Sequence, residues 1–385
     1  MSFEFDTFPD RRSTSSTKWN RYAGRDVIPM WVADMDFRCA PAIVEALRSR
    51  VEHGIFGYSE PPAELAPAVC EALLKDYGWR VHTDWIVWLP SLVVGLNVVT
   101  RALAEADEEV LTAQPIYPPF LSAPRHAQRA LRTVELVQSA NGRRWEWDWE
   151  ALEAAVTPRT RLLLLCHPHN PTGRAWTREE LECLAAFVRR HRLLVASDEI
   201  HCGLILDAGR SHLPFASLED DIAARTVTLM SASKTFNLPT LGCAFAIASD
   251  AAMRARIRRA MAGIVHHVGG LGYVATLAAY RDGKPWQRAL IEYLRGNRDL
   301  VEAEFAAMPG LKTWHVEATY LAWIDARGMH VPDPVAHFES AGVGLYDGTQ
   351  FGAPGFLRLN FACPRTLLRE ALARMRNALH PDTPP

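Results

Sequence analysis

Several familiar signals are missing from this 385-residue chain, and each absence narrows what it can do. The seven cysteines, at 39, 70, 166, 183, 202, 243 and 363, form no C-x-x-C pair and leave one without a mate. That count suits reduced thiols rather than a disulfide framework, so a cytoplasmic location is expected. Metal-ligand spacing is missing as well. Cys166 with His167, and His201 with Cys202, are chain neighbours whose side chains point apart, so no metal site is expected. No uninterrupted apolar run is long enough to span a bilayer. The opening "MSFEFDTFPDRRSTSSTKW" lacks a basic segment followed by an apolar one, and no secretory signal is expected. Charge of one sign is not gathered into blocks: 42 basic and 44 acidic residues give a formal net charge of −2. Neither nucleic acid nor an anionic membrane has a footprint to bind. Internal repeats and low-complexity tracts are absent too, which leaves a small molecule as the expected partner.

The chain does have 49% hydrophobic and 22% charged residues, ordinary values for a globular protein with material for two cores. "APAIVEALRSRVEHG" reads as a helix, with proline in its first turn, Ile43, Val44, Leu47 and Val51 on one face, and Gly54 as a stop. In "TREELECLAAFVRRHR", Thr177 and Glu180 have capping-box spacing, and Leu181, Leu184, Ala185 and Val188 recur at helical period. Two apolar runs, "RLLLLC" and "LLVAS", flank that helix. Strand, helix, strand in this order predicts a mainly parallel sheet covered by helices.

In such sheets ligands sit beyond the carboxyl ends of the strands. There the chain reads "HPHNPTG" after "RLLLLC", "DEIHCG" after "LLVAS" and "SASKTFN" after "TVTLM". Each cluster has a plain structural meaning of its own: a turn for "NPTG", a helix cap for Asp198, a satisfied half-buried ring for His201, a solvated loop lysine for Lys234. Together at one sheet edge they suit one chemistry. A lysine amine forms a Schiff base with an aldehyde, and a buried aspartate keeps a pyridine nitrogen protonated so that the ring accepts electrons. Asn170 and His201 have groups for the ring's phenolic oxygen, and Ser231 and Ser233 are short donors for a phosphate. Lys234 is therefore the expected aldehyde-binding lysine of a pyridoxal 5'-phosphate enzyme.

"HNPTG", "SDEIH" and "SASKTFN", in this order and spacing, resemble the class I/II aminotransferase superfamily. "IPMWVADMDF", "GIFGYSEPP", "PIYPPF" and "FGAPGFLRLNFACPR" resemble its cystathionine β-lyase-like branch of carbon–sulfur lyases. The resemblance runs over nearly the whole chain. It implies an α/β fold of the aminotransferase-like fold type I, with a mainly parallel large domain and a smaller α+β C-terminal domain. It implies that Tyr117 stacks on the cofactor ring, that Arg358 clamps the substrate α-carboxylate, and that Tyr58 reaches the phosphate of the neighbouring subunit in a homodimer. The plain alternatives are a loop aromatic, a solvated strand face and a packed loop tyrosine.

Some positions depart from the pattern. The arginine common after the lysine motif in aminotransferases is replaced by "NLPTLGCAFAI", which shifts weight toward lyase. In "PSLVVGLNVV", Leu92 stands where a small residue is common, although the amides of Leu92 and Val93 can still meet a phosphate at a helix start. His167 replaces an asparagine common before "PHNP".

The expected organisation is an N-terminal arm, 1–45, joining a small domain; a large cofactor domain, 46–275; and a small C-terminal domain, 276–385, with "TYLAWID" and "GFLRLNF" as strands and "RTLLREALARMRNALH" as the last helix. The expected activity is a carbon–sulfur β-lyase acting on L-cystathionine or other S-substituted L-cysteines. An amino-acid aminotransferase, or a regulatory binding protein keeping the fold, are the alternatives, since fold alone does not fix function.

Overall fold

A computed structural model describes residues 3–7 and 9–379 of the chain. Its largest feature is an eight-stranded sheet, with strands, from edge to edge, at Ile86–Leu89, Ala244–Ile247, Thr226–Met230, Leu194–Asp198, Thr160–Cys166, Glu109–Gln114, Ala130–Gln138 and Trp145–Trp147. Five neighbouring strands, from Thr226–Met230 to Ala130–Gln138, pair in parallel, and antiparallel strands close both edges. The expected mainly parallel sheet is thus present.

Alternation along the strand Thr160–Cys166 explains its two-sided cover. Leu162 and Leu164 face a core shared with Leu96, Val99 and Leu103 of the helix Leu92–Leu103. Leu163 and Leu165 face the opposite core, with Leu181, Leu184 and Val188 of the helix Arg178–Arg190. A strand buried on both faces reads as a continuous apolar run, as "RLLLLC" does. Helix Arg178–Arg190 starts with both capping-box bonds in place: the Glu180 amide donates to Thr177 Oγ1 (3.2 Å) and the Thr177 amide to Glu180 Oε2 (2.7 Å).

A four-stranded antiparallel sheet, ordered Lys312–Thr313, Leu321–Asp325, Phe356–Asn360 and Tyr346–Asp347, forms the second body of structure. The N-terminal segment joins it through Ile28–Pro29, which pairs in parallel with Val343–Gly344. The last helix is Arg365–Leu379, and His380 of the expected helix lies outside the described residues. Among the described residues no helix is long and apolar enough to cross a membrane.

One expected face differs. In the helix Pro41–Glu52, Ile43 is buried, yet Val44 and Val51 are exposed. The helix turns Ile43 into the core it shares with Ala275 and Ala278 of the helix Gly270–Asp282, packs Leu47 partly against the same core, and leaves Val44 and Val51 outward. Ile55, Phe56 and Tyr58, in the segment that follows, are exposed too.

Candidate active site

Three strand exits meet at a cavity of about 300 Å³. Leu92, Val93, Tyr117, Asn170, Asp198, His201, Ser231, Ser233, Lys234 and Arg358 all line it. Tyr58 does not; it is fully exposed on this chain. Residues as far apart in the chain as Trp31 and Arg358 come together here because parallel strands end on one edge while the antiparallel strand Phe356–Asn360 brings Arg358 across from the second sheet.

Lys234 donates from Nζ to the Ala33 carbonyl (2.6 Å). Burial, and then the nearby Arg358 guanidinium, lower its pKa from 10.5 to about 8. Asp198 is buried at the end of its strand and accepts from the Ile200 amide (3.1 Å). Burial pushes its carboxyl up to about 7. His201 is buried beside it, with Nδ1 lacking a hydrogen-bond partner and its pKa depressed by burial.

Arg358 is 1% exposed and held from several sides. Its Nη1 donates to Asn170 Oδ1 (2.9 Å) and its Nη2 to the Trp31 carbonyl (2.9 Å), while Nε has no partner. The rings of Tyr346 and Phe351 lie 4.8 Å from its guanidinium carbon. Burial lowers its pKa to about 10, which still leaves it cationic at neutral pH.

The opposite end of the cavity is rich in donors. Leu92 and Val93 open a twelve-residue helix whose N-cap, Ser91, accepts from the Val94 amide (3.3 Å). First-turn amides have no intrahelical acceptor, and with the helix dipole they favour an anion. Ser231 gives its hydroxyl proton to the Cys243 carbonyl (2.6 Å) and accepts from the Ser233 amide (3.1 Å). In this arrangement Ser231 braces the turn.

The sequence reading missed the strap 31–36. Its carbonyls accept from the site: Trp31 from Arg358, Ala33 from Lys234 and from the Tyr320 hydroxyl (3.1 Å), Val32 and Asp34 from Asn360 (2.6 and 2.7 Å). A buried ion pair of Lys18 with Asp36 (2.7 Å) and a second from Arg11 (2.7 Å) fasten it from behind. Backbone acceptors have no residue signature, so only the motif "IPMWVADMDF" marked the place. Tyr346, also in the cavity wall, stood in no motif at all.

Known proteins resemble the chain over its full length. The cystathionine beta-lyase PatB of Bacillus subtilis (strain 168) is 36% identical, the match covering 97% of this chain and 99% of PatB. A crystal structure of OvoB superposes with a TM-score of 0.95 at 46% identity, covering 98% of this chain and 99% of that one. Cystalysin from Treponema denticola, whose crystal structure contains a pyridoxal 5'-phosphate cofactor, superposes at 0.94 and 29% identity over 100% of both chains. The model of the family described as aminotransferase class I and II matches residues 25–375, and the chain belongs to that family.

Proposed function

We propose that the protein is a pyridoxal-phosphate-dependent carbon–sulfur β-lyase that converts L-cystathionine or a related S-substituted L-cysteine, with water, to a thiol, pyruvate and ammonia. One observation carries this reading. Among the described residues lining the cavity, Lys234, Asp198 and Arg358 are the only ones with lysine, arginine or carboxylate side chains. An α-carboxylate has a guanidinium to bind, and a second carboxylate on the substrate side chain has none. This disfavours the short dicarboxylates of many aminotransferases, whose side-chain carboxylate has no ammonium beside it; the distal carboxylate of cystathionine carries its own ammonium, and simpler S-substituted cysteines have no second carboxylate. Full-length similarity to a cystathionine β-lyase points the same way.

The residues fit the cofactor. Asp198 is a buried carboxylate with no cation paired to it, as a protonated ring nitrogen requires. The bare Nδ1 of His201 and the helix-start amides supply polar contacts for the ring substituents and the phosphate. We assign Asp198 to the ring nitrogen, Tyr117 to the ring face, Asn170 and His201 to the phenolic oxygen, and Leu92, Val93 and Ser233 to the phosphate, with Ser231, whose proton goes to the Cys243 carbonyl, holding the turn that presents Ser233. When bound, the cofactor supplies an aldehyde for amine capture and a ring that takes up electrons from the α-carbon.

Arg358, anchored by Asn170 and the Trp31 carbonyl, orients the substrate by its carboxylate. Lys234 Nζ takes the α-proton, and its lowered pKa makes the free amine accessible near neutral pH. Loss of the thiolate from the β-carbon then separates elimination from transamination.

A homodimer completes the reading. Val44, Val51, Ile55, Phe56 and Tyr58 expose an apolar face that a second copy would cover, and Tyr58 would reach the phosphate of that copy's site. The division into an N-terminal arm with a small domain and a large cofactor domain, at 1–45, 46–275 and 276–385, is supported by the separate sheets and by the Ile28–Pro29 pairing.

The test is to incubate cofactor-loaded protein with L-cystathionine and no keto acid. Pyruvate and thiol should appear in equal amounts. Turnover that needs an added keto acid and releases no thiol would favour the aminotransferase alternative.

A further inference from the structure

Behind Asp198, on the side away from the cavity, lies a buried polar cluster that the proposed reaction does not use. Glu199 is 0% exposed and accepts three hydrogen bonds. Ser197 Oγ (2.7 Å) and the Phe215 amide (3.1 Å) donate to its Oε1, and His212 Nε2 lies 2.6 Å from its Oε2. His167, the residue that departs from the family pattern, stacks on His212 with ring centroids 4.5 Å apart and makes its own bond from Nε2 to the Leu213 carbonyl (3.0 Å).

The protonation pattern of this cluster follows from its bonds. His167 must donate from Nε2, because a carbonyl only accepts, so a neutral ring leaves Nδ1 bare. His212 Nδ1 is bare as well. Two neutral rings with unprotonated Nδ1 atoms agree with burial, which holds both imidazoles near a pKa of about 3. His212 Nε2 therefore carries a proton and points it at Glu199. A carboxylate that receives a hydroxyl, an amide and an imidazole N–H is stabilised in its charged form. Burial opposes this and raises the Glu199 carboxyl to about 7, while the nearby His167 ring and the Ser197 and Phe215 bonds pull it back. The groups facing it are Ser197 and Asp198 from its own strand end, His167 from the adjacent strand exit, and His212 and Phe215 from the loop beyond. None is a cation; the nearby Arg174 is paired with Glu180 and Glu317 and lowers the pKa of His167 and His169.

We propose that Glu199, held ionised by His212, is a positioning residue that places a second negative charge behind Asp198 and so favours the protonated ring nitrogen of the cofactor. The inference rests on the pyridoxal-phosphate reading above. A lone carboxylate next to a pyridine nitrogen has the proton shared between them; a second anion one residue along the chain favours the cationic ring. Burial first and then this same neighbour raise the pKa of Asp198, against the Ile200 amide and Lys234, as expected of a carboxylate whose full counter-charge comes from a positive guest.

The test compares pyridoxal phosphate with its 1-deaza analogue, in which a C–H replaces the ring nitrogen and nothing can be protonated. Equilibrium dialysis of both with unmodified protein, Glu199→Gln and His212→Phe reads the charge effect apart from any loss of shape. Glu199→Gln should weaken retention of pyridoxal phosphate about tenfold more than that of the analogue, equivalent to one pKa unit at the ring nitrogen. His212→Phe, which removes one donor from Glu199, should act in the same direction and serves alone if the first variant does not fold. Equal weakening of both compounds, or no change in either, in the folded variants would overturn the proposal. If the unmodified protein did not prefer pyridoxal phosphate to the analogue, the Asp198 assignment would fail first and take this inference with it.

Discussion

Neither a low-polarity cavity nor a neighbouring cation tolerates an ammonium, and Lys234 meets both conditions, with its pKa lowered from 10.5 to about 8. The free amine is the form that accepts a proton, and Lys234 is released from the cofactor only when substrate is bound, so kcat should climb with pH up to about 8 and level off above it. A profile flat between about pH 6 and about pH 8 would separate the rate from this amine. Asp198→Ala removes the anion expected to face the ring nitrogen and should cut kcat by roughly a hundredfold or more while the fold survives. Arg358→Lys keeps the charge but loses the planar fork anchored on Asn170 and Trp31, and should raise KM about tenfold or more with a smaller change in kcat. Arg358, in the middle of the strand Phe356–Asn360, was marked only by the family resemblance, whereas Lys234 and Asp198 were legible in the sequence because their side chains are polar and sit at strand exits. Ala33 was not, since it contributes a carbonyl, and Tyr320 was not, since a tyrosine two strands away has no local sign that its hydroxyl reaches the same acceptor. The Glu199–His212 contact joins residues on separate segments and was equally invisible.

Elements position these groups through their ends. Helix Arg178–Arg190 covers the strand that delivers Asn170, and both its periodicity and its cap were readable from "TREELECLAAFVRRHR". Thr177→Ala should cost about 1 kcal/mol of stability, measured by denaturant unfolding, and leave kcat nearly unchanged. A pH-dependent tie joins the large-sheet side to the long helix Lys284–Ala306: His315 contacts Glu302 Oε1 (3.0 Å) and Asp207 Oδ1 (2.8 Å). Bonding to Glu302, against burial, raises its pKa from 6.5 to about 9. The folded state thus binds the proton more tightly than the unfolded chain. Its contribution is fully present below about pH 6.5 and disappears as pH rises through about 9. His315 is half-exposed, so solvent screens the effect. In Tm measured against pH, His315→Gln should lose part of the decline seen in the unmodified protein between those values; parallel curves would contradict the linkage. Helix Pro41–Glu52 shows where sequence periodicity stops being informative. An apolar stripe says that residues avoid water, not what covers them, and Val44 and Val51 are exposed on the single chain.

For the whole molecule, the proposed dimer makes each site a product of two chains. Mixing Tyr58→Phe with Lys234→Ala subunits should then restore activity above the sum of the two parents, because one site of each heterodimer carries both natural residues. No gain after verified subunit exchange, with a measurable defect in each parent, would mean that Tyr58 serves only its own chain. The sheet order, the strap and the second sheet all bring distant residues to one lysine, and the reaction assigned to the molecule depends on that lysine holding the cofactor. Borohydride reduction of the loaded protein followed by peptide mapping tests this directly. The account predicts that the cofactor is found on Lys234 and that Lys234→Ala yields no labelled peptide; label on any other lysine, or undiminished labelling of the variant, would contradict it.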